Sequence, residues 1–394
     1  MRRRRDKGTG SIRERGKDQW ELKIELDKHP LTGRRERRFH SFRGSRKEAN
    51  AELARLLTVA AEGNYVDPSK LTVSEFFDRW DRDWAATNVS PKTLERYQDL
   101  AKTQIRPRIG HMKLQKLKTV HLAELYSTLL REGRGTAEAP AGLAPRTVGH
   151  VHRLLHRALG HAVRWGLLAT NPASSAEPPP VAAEEIEVLD QDQVKTVLER
   201  LRGRSMFRIV ATALATGMRR GELCALRWKD VDFDAAKLQV ERSLEETKAG
   251  LRFKSTKTRN GRRQIALPVY IVTELRAHWK KQQEQRLALG LGKDDPEALV
   301  FRHLDGSPLI PNSVTTEWKR NVRTLGLPKV KFHALRHTHA SQLIASGMDV
   351  LSISRRLGHA SPSITLNVYG HLFKLTDQRA ADVFQAAYGS TFHE

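Results

Sequence analysis

The chain has 394 residues, with 69 lysines and arginines against 45 acidic residues and a net charge of +24, a balance that favours phosphate-rich partners and a length that allows two to three domains. A single cysteine, Cys224, excludes an internal disulfide framework and fits a reducing cytoplasm. No apolar run is long enough to span a bilayer, and no apolar segment follows the opening MRRRRDKG, so neither a membrane anchor nor a secretory signal is expected.

Residues 1–63 form a small basic module. Trp20, Leu22, Ile24 and Leu26 alternate with Glu21, Lys23 and Glu25, the period of a half-buried strand. Pro30, Thr32 and Gly33 make a turn, Arg37 to Phe42 supplies a partner strand, and Ser11 to Arg15 adds a third. Ser45 then caps a helix carrying Ala49, Leu53, Leu56 and Leu57. The expected product is a small α+β unit, a three-stranded sheet backed by one helix. Its outer face holds Arg13, Arg15, Lys23, Arg35 and Arg37. Such a face either enters a DNA major groove or is a basic, solvated sheet without sequence preference.

Residues 71–171 read as an all-α domain, with helices over Val73 to Trp84, Pro91 to Ile105, Thr119 to Arg131 and Pro145 to Leu168. Breaks are expected at Asn88 to Pro91, Arg106 to Gly110 and Gly133 to Gly142. Phe76, Phe77, Trp80 and Trp84 keep helical spacing and belong first to the core. Lys92, Thr93, Arg96, Arg146, Thr147 and Arg153 give the domain a cationic, polar surface for DNA. Residues 172–187, with the Pro178-Pro179-Pro180 run and Glu184, Glu185 and Glu187, make an extended linker. A mainly α domain with a small sheet or hairpin follows over residues 188–394.

In that last domain Thr216-Gly217 ends an apolar helix, and Arg219 starts the next, with Glu222 one turn on to hold its guanidinium. Short alternating runs between Lys237 and Leu267, with a turn signal at Thr258 to Gly261, predict a hairpin with Lys257 at its lip. His333 and Arg336 are three apart, on one face of a helix. Gly347 and Gly358 mark helix ends, so His359 falls just past a stop. Pro362 restarts a helix that carries Tyr369. His333, His337 and His339 also raise a metal-site reading, but their spacing does not aim them at one point and no Glu base or Cys partner accompanies them.

Arg219, Lys257, His333, Arg336, His359 and Tyr369, within the segments TGMRRGE, HALRHTHAS, LGHAS and NVYGH, resemble the tyrosine recombinase (phage integrase) family. The resemblance implies a nucleophilic Tyr369 that forms a 3′-phosphotyrosyl bond and releases a 5′-hydroxyl, without a metal or nucleotide cofactor. It further implies that the helical domain clamps the core site opposite the catalytic domain. The amino-terminal module resembles the arm-binding domain of lambda-type and conjugative-transposon integrases. That likeness implies arm-type DNA sites, a host DNA-bending protein and an excision factor. A bacterial, nucleoid-associated enzyme that assembles as a homotetramer on DNA is expected, its tail after Tyr369 (Leu375 to Tyr388) packing on its own domain or on a neighbouring protomer.

The chemistry also follows from the side chains. In-line attack on a phosphodiester gathers charge on the non-bridging oxygens, which suits the forks of Arg219 and Arg336 and a hydrogen bond from His359. Tyrosine has an ordinary pKa of about 10, so its proton must be taken, here by His333, while Lys257 protonates the leaving 5′ oxygen. A covalent intermediate retains the broken bond's energy for rejoining, which means strand exchange rather than hydrolysis; the family resemblance implies that the exchange passes through a Holliday junction and integrates and excises a mobile element. A type IB topoisomerase, a chromosome-dimer resolvase and a catalytically dead DNA-binding regulator are the competing readings.

Overall fold

The computed structural model describes residues 10–28, 35–135, 140–182, 186–255, 261–293, 295–373, 377–388 and 391. The chain divides into two compact units, Met1–Ala182 and Ala183–Glu394.

The first unit opens with the antiparallel strands β1 (Ser11–Gly16), β2 (Gln19–Lys28) and β3 (Arg35–Arg43), in that spatial order. Register pairs Leu22 with Ile12 on one side and His40 on the other. This turns Leu22 and Ile24, both 0% exposed, toward helix α1 (Arg46–Ala61), where they meet Ala49, Leu53 and Leu56. The helix starts where the sequence signals it. Ser45 Oγ accepts from the Glu48 N–H at 3.3 Å, and the Ser45 N–H donates to Glu48 Oε2 at 2.7 Å. Beyond α1, Asp67 accepts from Arg38 Nε at 2.7 Å and its carbonyl from Gln115 Nε2 at 2.8 Å, tying the sheet to the helical region that follows.

That region is helical as expected, but its boundaries differ. The helix Val73–Trp80 passes through a wide turn, Asp81–Ala85, and ends at Asn88 rather than Trp84. The next, Pro91–Leu100, passes through another wide turn, Ala101–Ile105, and continues over Arg106–Ile109, where a break was expected. Pro107 has no N–H for the preceding turn. Arg108 compensates: its Nη1 donates to the carbonyls of Thr103 (3.3 Å) and Gln104 (3.2 Å). The last helix, Pro145–Arg164, stops short of Leu168 because Gly166 takes a left-handed φ of 67°. Phe76, Phe77 and Trp80 are fully buried, and Trp80 Nε1 donates to His161 Nδ1 at 2.7 Å, pairing the core's indole with a buried acceptor.

In the second unit the helix Phe207–Thr216 is buried on nearly every side and forms the centre of the core, with Leu223, Leu238, Ile271, Trp318 and Leu335 packed around it. The small sheet has Lys237–Val240 between Arg263–Ala266 and Val231–Asp232. The hairpin is not where the sequence signalled it. It joins Arg242–Thr247 to Gly250–Ser255 and turns at residues 248 and 249, while Arg263–Ala266 pairs with Lys237–Val240 in the other sheet. Thr258 to Asn260, where the turn was expected, lie outside the described residues. Cross-strand pairing decided the place of Arg263–Ala266, since Arg263 opposite Val240 places Ile265 opposite Leu238, both buried. The final helices are Ala334–Ala345, Val350–Leu357, Pro362–Tyr369 and Asp377–Tyr388.

Candidate active site

Gly217 ends the central helix with a φ of 65°, and its carbonyl accepts a hydrogen bond from Arg336 Nη1 at 2.7 Å. A Cβ at this position would lie 2.7 Å from His339 Cδ2 and 2.8 Å from Leu357 Cδ2, so backbone angle and space both call for glycine. Arg336 is 3% exposed, and its Nη2 is buried without a hydrogen-bond partner among the described residues. Burial, then the charge of Arg219, lowers its pKa to about 9, so it stays protonated at neutral pH.

Arg219 stands before the short helix Arg220–Leu223. Its Nη1 donates to Glu222 Oε1 at 2.9 Å and its Nη2 to the Gly358 carbonyl at 3.0 Å. Glu222, 3% exposed, accepts in addition from Arg263 Nη1 (3.2 Å) and Nη2 (2.8 Å). Burial alone would raise the Glu222 carboxyl, but the hydrogen bonds and charge of Arg263, joined by the charge of Arg219, hold it below the usual carboxylate range. Arg220, by contrast, turns to Thr315 and Asn312 and serves the fold.

Helix Ala334–Ala345 carries Arg336 and His337 one residue apart, and Pro362–Tyr369 brings Tyr369 against it. Tyr369 is 1% exposed, and its Oη lies 2.7 Å from His337 Nδ1. Burial raises the phenol to about 12, with Arg336 pulling the other way. His333 sits at the start of the same helix, exposed, its ring edge-on to His337 with centroids 4.9 Å apart. The protein around the ring, then His337 and Arg336, pulls its pKa down, and water at the exposed face softens that pull. His359 follows Gly358, whose φ is 67°, and its Nδ1 is 2.8 Å from Thr365 Oγ1. Burial, then Arg336 and Arg219, lowers His359 to about 4, so it is neutral near pH 7.

Five of the six expected site residues therefore share one region: Arg219, His333, Arg336, His359 and Tyr369. Lys257 lies outside the described residues. The sequence reading gave the tyrosine proton to His333; the hydroxyl's partner is His337. Arg263 was also missed as a site-building residue, because in the Arg-rich run that contains it nothing distinguishes an inward strand position. Among the described residues no group of three or more His, Cys, Asp or Glu is placed to hold a metal ion. His339 donates from Nδ1 to the Leu214 carbonyl at 2.8 Å and accepts Arg356 Nε on Nε2 at 2.9 Å, which occupies both nitrogens. Cys224 is fully buried and its thiol pushed up to about 12, an inert core residue.

The expected DNA-facing residues form two groups. On the outer face of the amino-terminal sheet, Arg13, Lys23 and Arg37 share the side opposite Leu22 and Ile24, around an exposed Phe39. Their charge is partly offset: Arg15 pairs with Glu21 at 2.7 Å, and Lys23 and Arg37 each with Glu25 at 3.4 Å. The backbone of Arg35 pairs with Lys28. In the helical region Lys92, Thr93 and Arg96 lie on Pro91–Leu100, and Arg146, Thr147 and Arg153 on Pro145–Arg164. Shielding by surrounding atoms, then the charges of Arg153, Arg96 and Arg146, lowers the pKa of His150, so cations of both helices gather about one imidazole. Tyr97, His152, Arg153, His156 and Arg157 line one cleft of this region, and His156, Arg157 and Arg164 are among the residues lining another, so that Arg157 and Arg164 add cations beyond those expected.

Residues 187–375 match the phage integrase family, and residues 72–130 match the SAM-like amino-terminal domain of phage integrases. A relative from Caldanaerobacter subterraneus subsp. tengcongensis, described as a tyrosine recombinase XerC-like protein, is 27% identical over 346 residues, covering 83% of this chain and 86% of that one. Among solved structures, the Tn1549 transposon integrase in complex with transposon right end DNA aligns with a TM-score of 0.67 at 23% identity, over 80% of this chain and 99% of that one. A lambda integrase tetramer bound to a Holliday junction aligns with a TM-score of 0.54 at 17% identity, over 95% and 99%. These two structural likenesses are of fold.

Proposed function

Because the chain belongs to the phage integrase family of tyrosine recombinases, we propose that Tyr369 is its nucleophile and that Arg219, Arg336 and His359 bind the scissile phosphate, with His333 at the open side of the site. The enzyme is a DNA strand transferase of the integrase type, and DNA is its substrate. The observation that carries the site assignment is the buried, unpartnered Nη2 of Arg336. A buried guanidinium donor without an acceptor is costly. A non-bridging phosphate oxygen would satisfy it, beside a tyrosine whose titration already feels Arg336.

In this reading the phosphate meets two forks as its charge grows, Tyr369 Oη bonds to phosphorus, and the P–O5′ bond breaks with Lys257 supplying the proton. The reverse steps join a new 5′-hydroxyl. Residues 1–63 serve as an arm-type DNA-binding module, 71–171 as the core-site module, 172–187 as linker, and 188–394 as the catalytic domain. The product is integration, and with an excision factor and a host DNA-bending protein, excision of a mobile element in the bacterial cytoplasm. Assembly is as a homotetramer on DNA. The tail helix Asp377–Tyr388 supports this, for Val383, Phe384 and Tyr388 are 60%, 67% and 56% exposed, an apolar face suited to a neighbouring copy.

The test is a nicked duplex carrying the element's junction, incubated with wild type and Tyr369→Phe and run on a denaturing gel. Wild type alone should form a covalent band, attached through the DNA 3′ phosphate. A band from both proteins would place the nucleophile elsewhere.

A further inference from the structure

We propose that His337 is a catalytic residue of strand cleavage: its Nδ1 holds the Tyr369 hydroxyl in the site and takes the proton from Oη as that oxygen attacks. The proposal rests on the recombinase reading of Tyr369 and adds the group that activates it.

The geometry is direct. Tyr369 Oη and His337 Nδ1 are 2.7 Å apart, within the reach a general base needs, and the rings sit 5.6 Å apart, centroid to centroid. His337 follows Arg336 in the chain, so the residue that grips the phosphate and the residue that grips the nucleophile move as one rigid helical turn. His333 is less well placed for this role. It is the more exposed ring and touches His337 edge-on. In its Nε2–H tautomer, His337 accepts the phenolic O–H on Nδ1.

The groups facing the imidazole are His333 and Arg336 from its own helix, Tyr369 from the helix Pro362–Tyr369, and His359, whose charge state His337 also influences. Burial, then Arg336, lowers the pKa of His337, so near neutral pH it is unprotonated and able to accept. The balance closes. The Oη–H bond passes its proton to Nδ1, the Oη–P bond forms, the P–O5′ bond breaks, and O5′ takes a proton from Lys257. In the rejoining step the imidazolium returns its proton to the departing Tyr369 oxygen.

The experiment uses the full chain and the nicked junction duplex, and follows the rate of covalent complex formation between pH 6.5 and 8. Wild-type protein, His337→Ala and His337→Asn are compared, with DNA binding and melting temperature measured alongside. General-base loss is worth about 10²–10⁴-fold. Both variants should therefore fall in that range while binding DNA as wild type does. His337→Asn keeps a hydrogen-bonding group near the Nδ1 position but cannot carry a proton. Its rate should rise about tenfold per pH unit, as the free phenolate fraction grows, where the wild type is nearly flat. A His337→Asn protein with the wild-type rate and profile would overturn proton transfer, and a wild-type rate in His337→Ala would overturn the whole proposal. Failure of wild type itself to form the covalent complex would instead sink the reading of Tyr369.

Discussion

Arg263 and Glu222 are 41 residues apart in sequence, yet both Nη atoms of Arg263 donate to the Glu222 carboxylate, at 3.2 and 2.8 Å, with both side chains under 7% exposed. The same carboxylate takes Arg219 Nη1. One strand of the small sheet thus fixes the acid that fixes Arg219, the arginine proposed to bind the phosphate. Removing one partner of a buried pair leaves an uncompensated charge, which costs about 3–5 kcal/mol. Glu222→Gln should lower the melting temperature and weaken cleavage together, with DNA binding less affected. Thermal melts and a gel-shift assay on the full chain check this; unchanged cleavage would mean that Arg219 is placed without Glu222.

Arg336 carries its role through the shape of its fork as well as its charge. Nη1 is committed to the Gly217 carbonyl, and Nη2, without a hydrogen-bond partner among the described residues, is the donor proposed for the phosphate. Arg336→Lys keeps the charge but offers a single point donor. Cleavage should fall by about 10²–10³-fold, the range seen when one transition-state donor is lost, while affinity for the duplex changes little. Single-turnover cleavage at saturating protein separates the two effects.

Gly217→Ala should be more damaging than its size suggests. The φ of 65° alone disfavours a side chain, and the added methyl would press on His339 and Leu357 at under 3 Å. Strain of this kind costs about 1–3 kcal/mol. It acts on the residue whose carbonyl positions Arg336. A melting-temperature drop accompanied by loss of cleavage is expected; a drop in stability with full cleavage would show that the carbonyl contact is dispensable.

Acid should destabilise the second unit before it protonates most carboxylates. His339 and His359 are 7% and 9% exposed, and burial lowers both to about 4, against the ordinary histidine value of 6.5. Between those values the unfolded chain binds more protons than the folded one. Stability therefore holds above pH 6.5 and declines as pH falls toward 4, by at most about 1.4 kcal/mol per pKa unit for each group. Melting temperatures between pH 8 and 4.5 test this, and His339→Gln should flatten the slope even if it lowers the starting value.

Much of the site was legible in the sequence because it is built from local signals. Helix starts and stops put His333 and Arg336 on one face, His359 after a glycine stop and Tyr369 on a proline-started helix, and the alternation at Trp20 to Leu26 gave the amino-terminal sheet. The hairpin was misplaced for a related reason. The turn chemistry at Thr258 to Gly261 is as strong as that at residues 247–250, and only pairing with Lys237–Val240 distinguishes them.

What the sequence by itself determined, then, was the set of residues proposed for phosphoryl transfer and most of the elements that carry them, since capping, periodicity and side-chain chemistry act over a few residues. The tertiary structure alone decided who touches whom. That His337 rather than His333 meets Tyr369, that Arg263 anchors Glu222, and that Gly217 receives Arg336 depend on contacts across 32, 41 and 119 residues. No local propensity encodes them, because they arise only when separate helices and strands share one core.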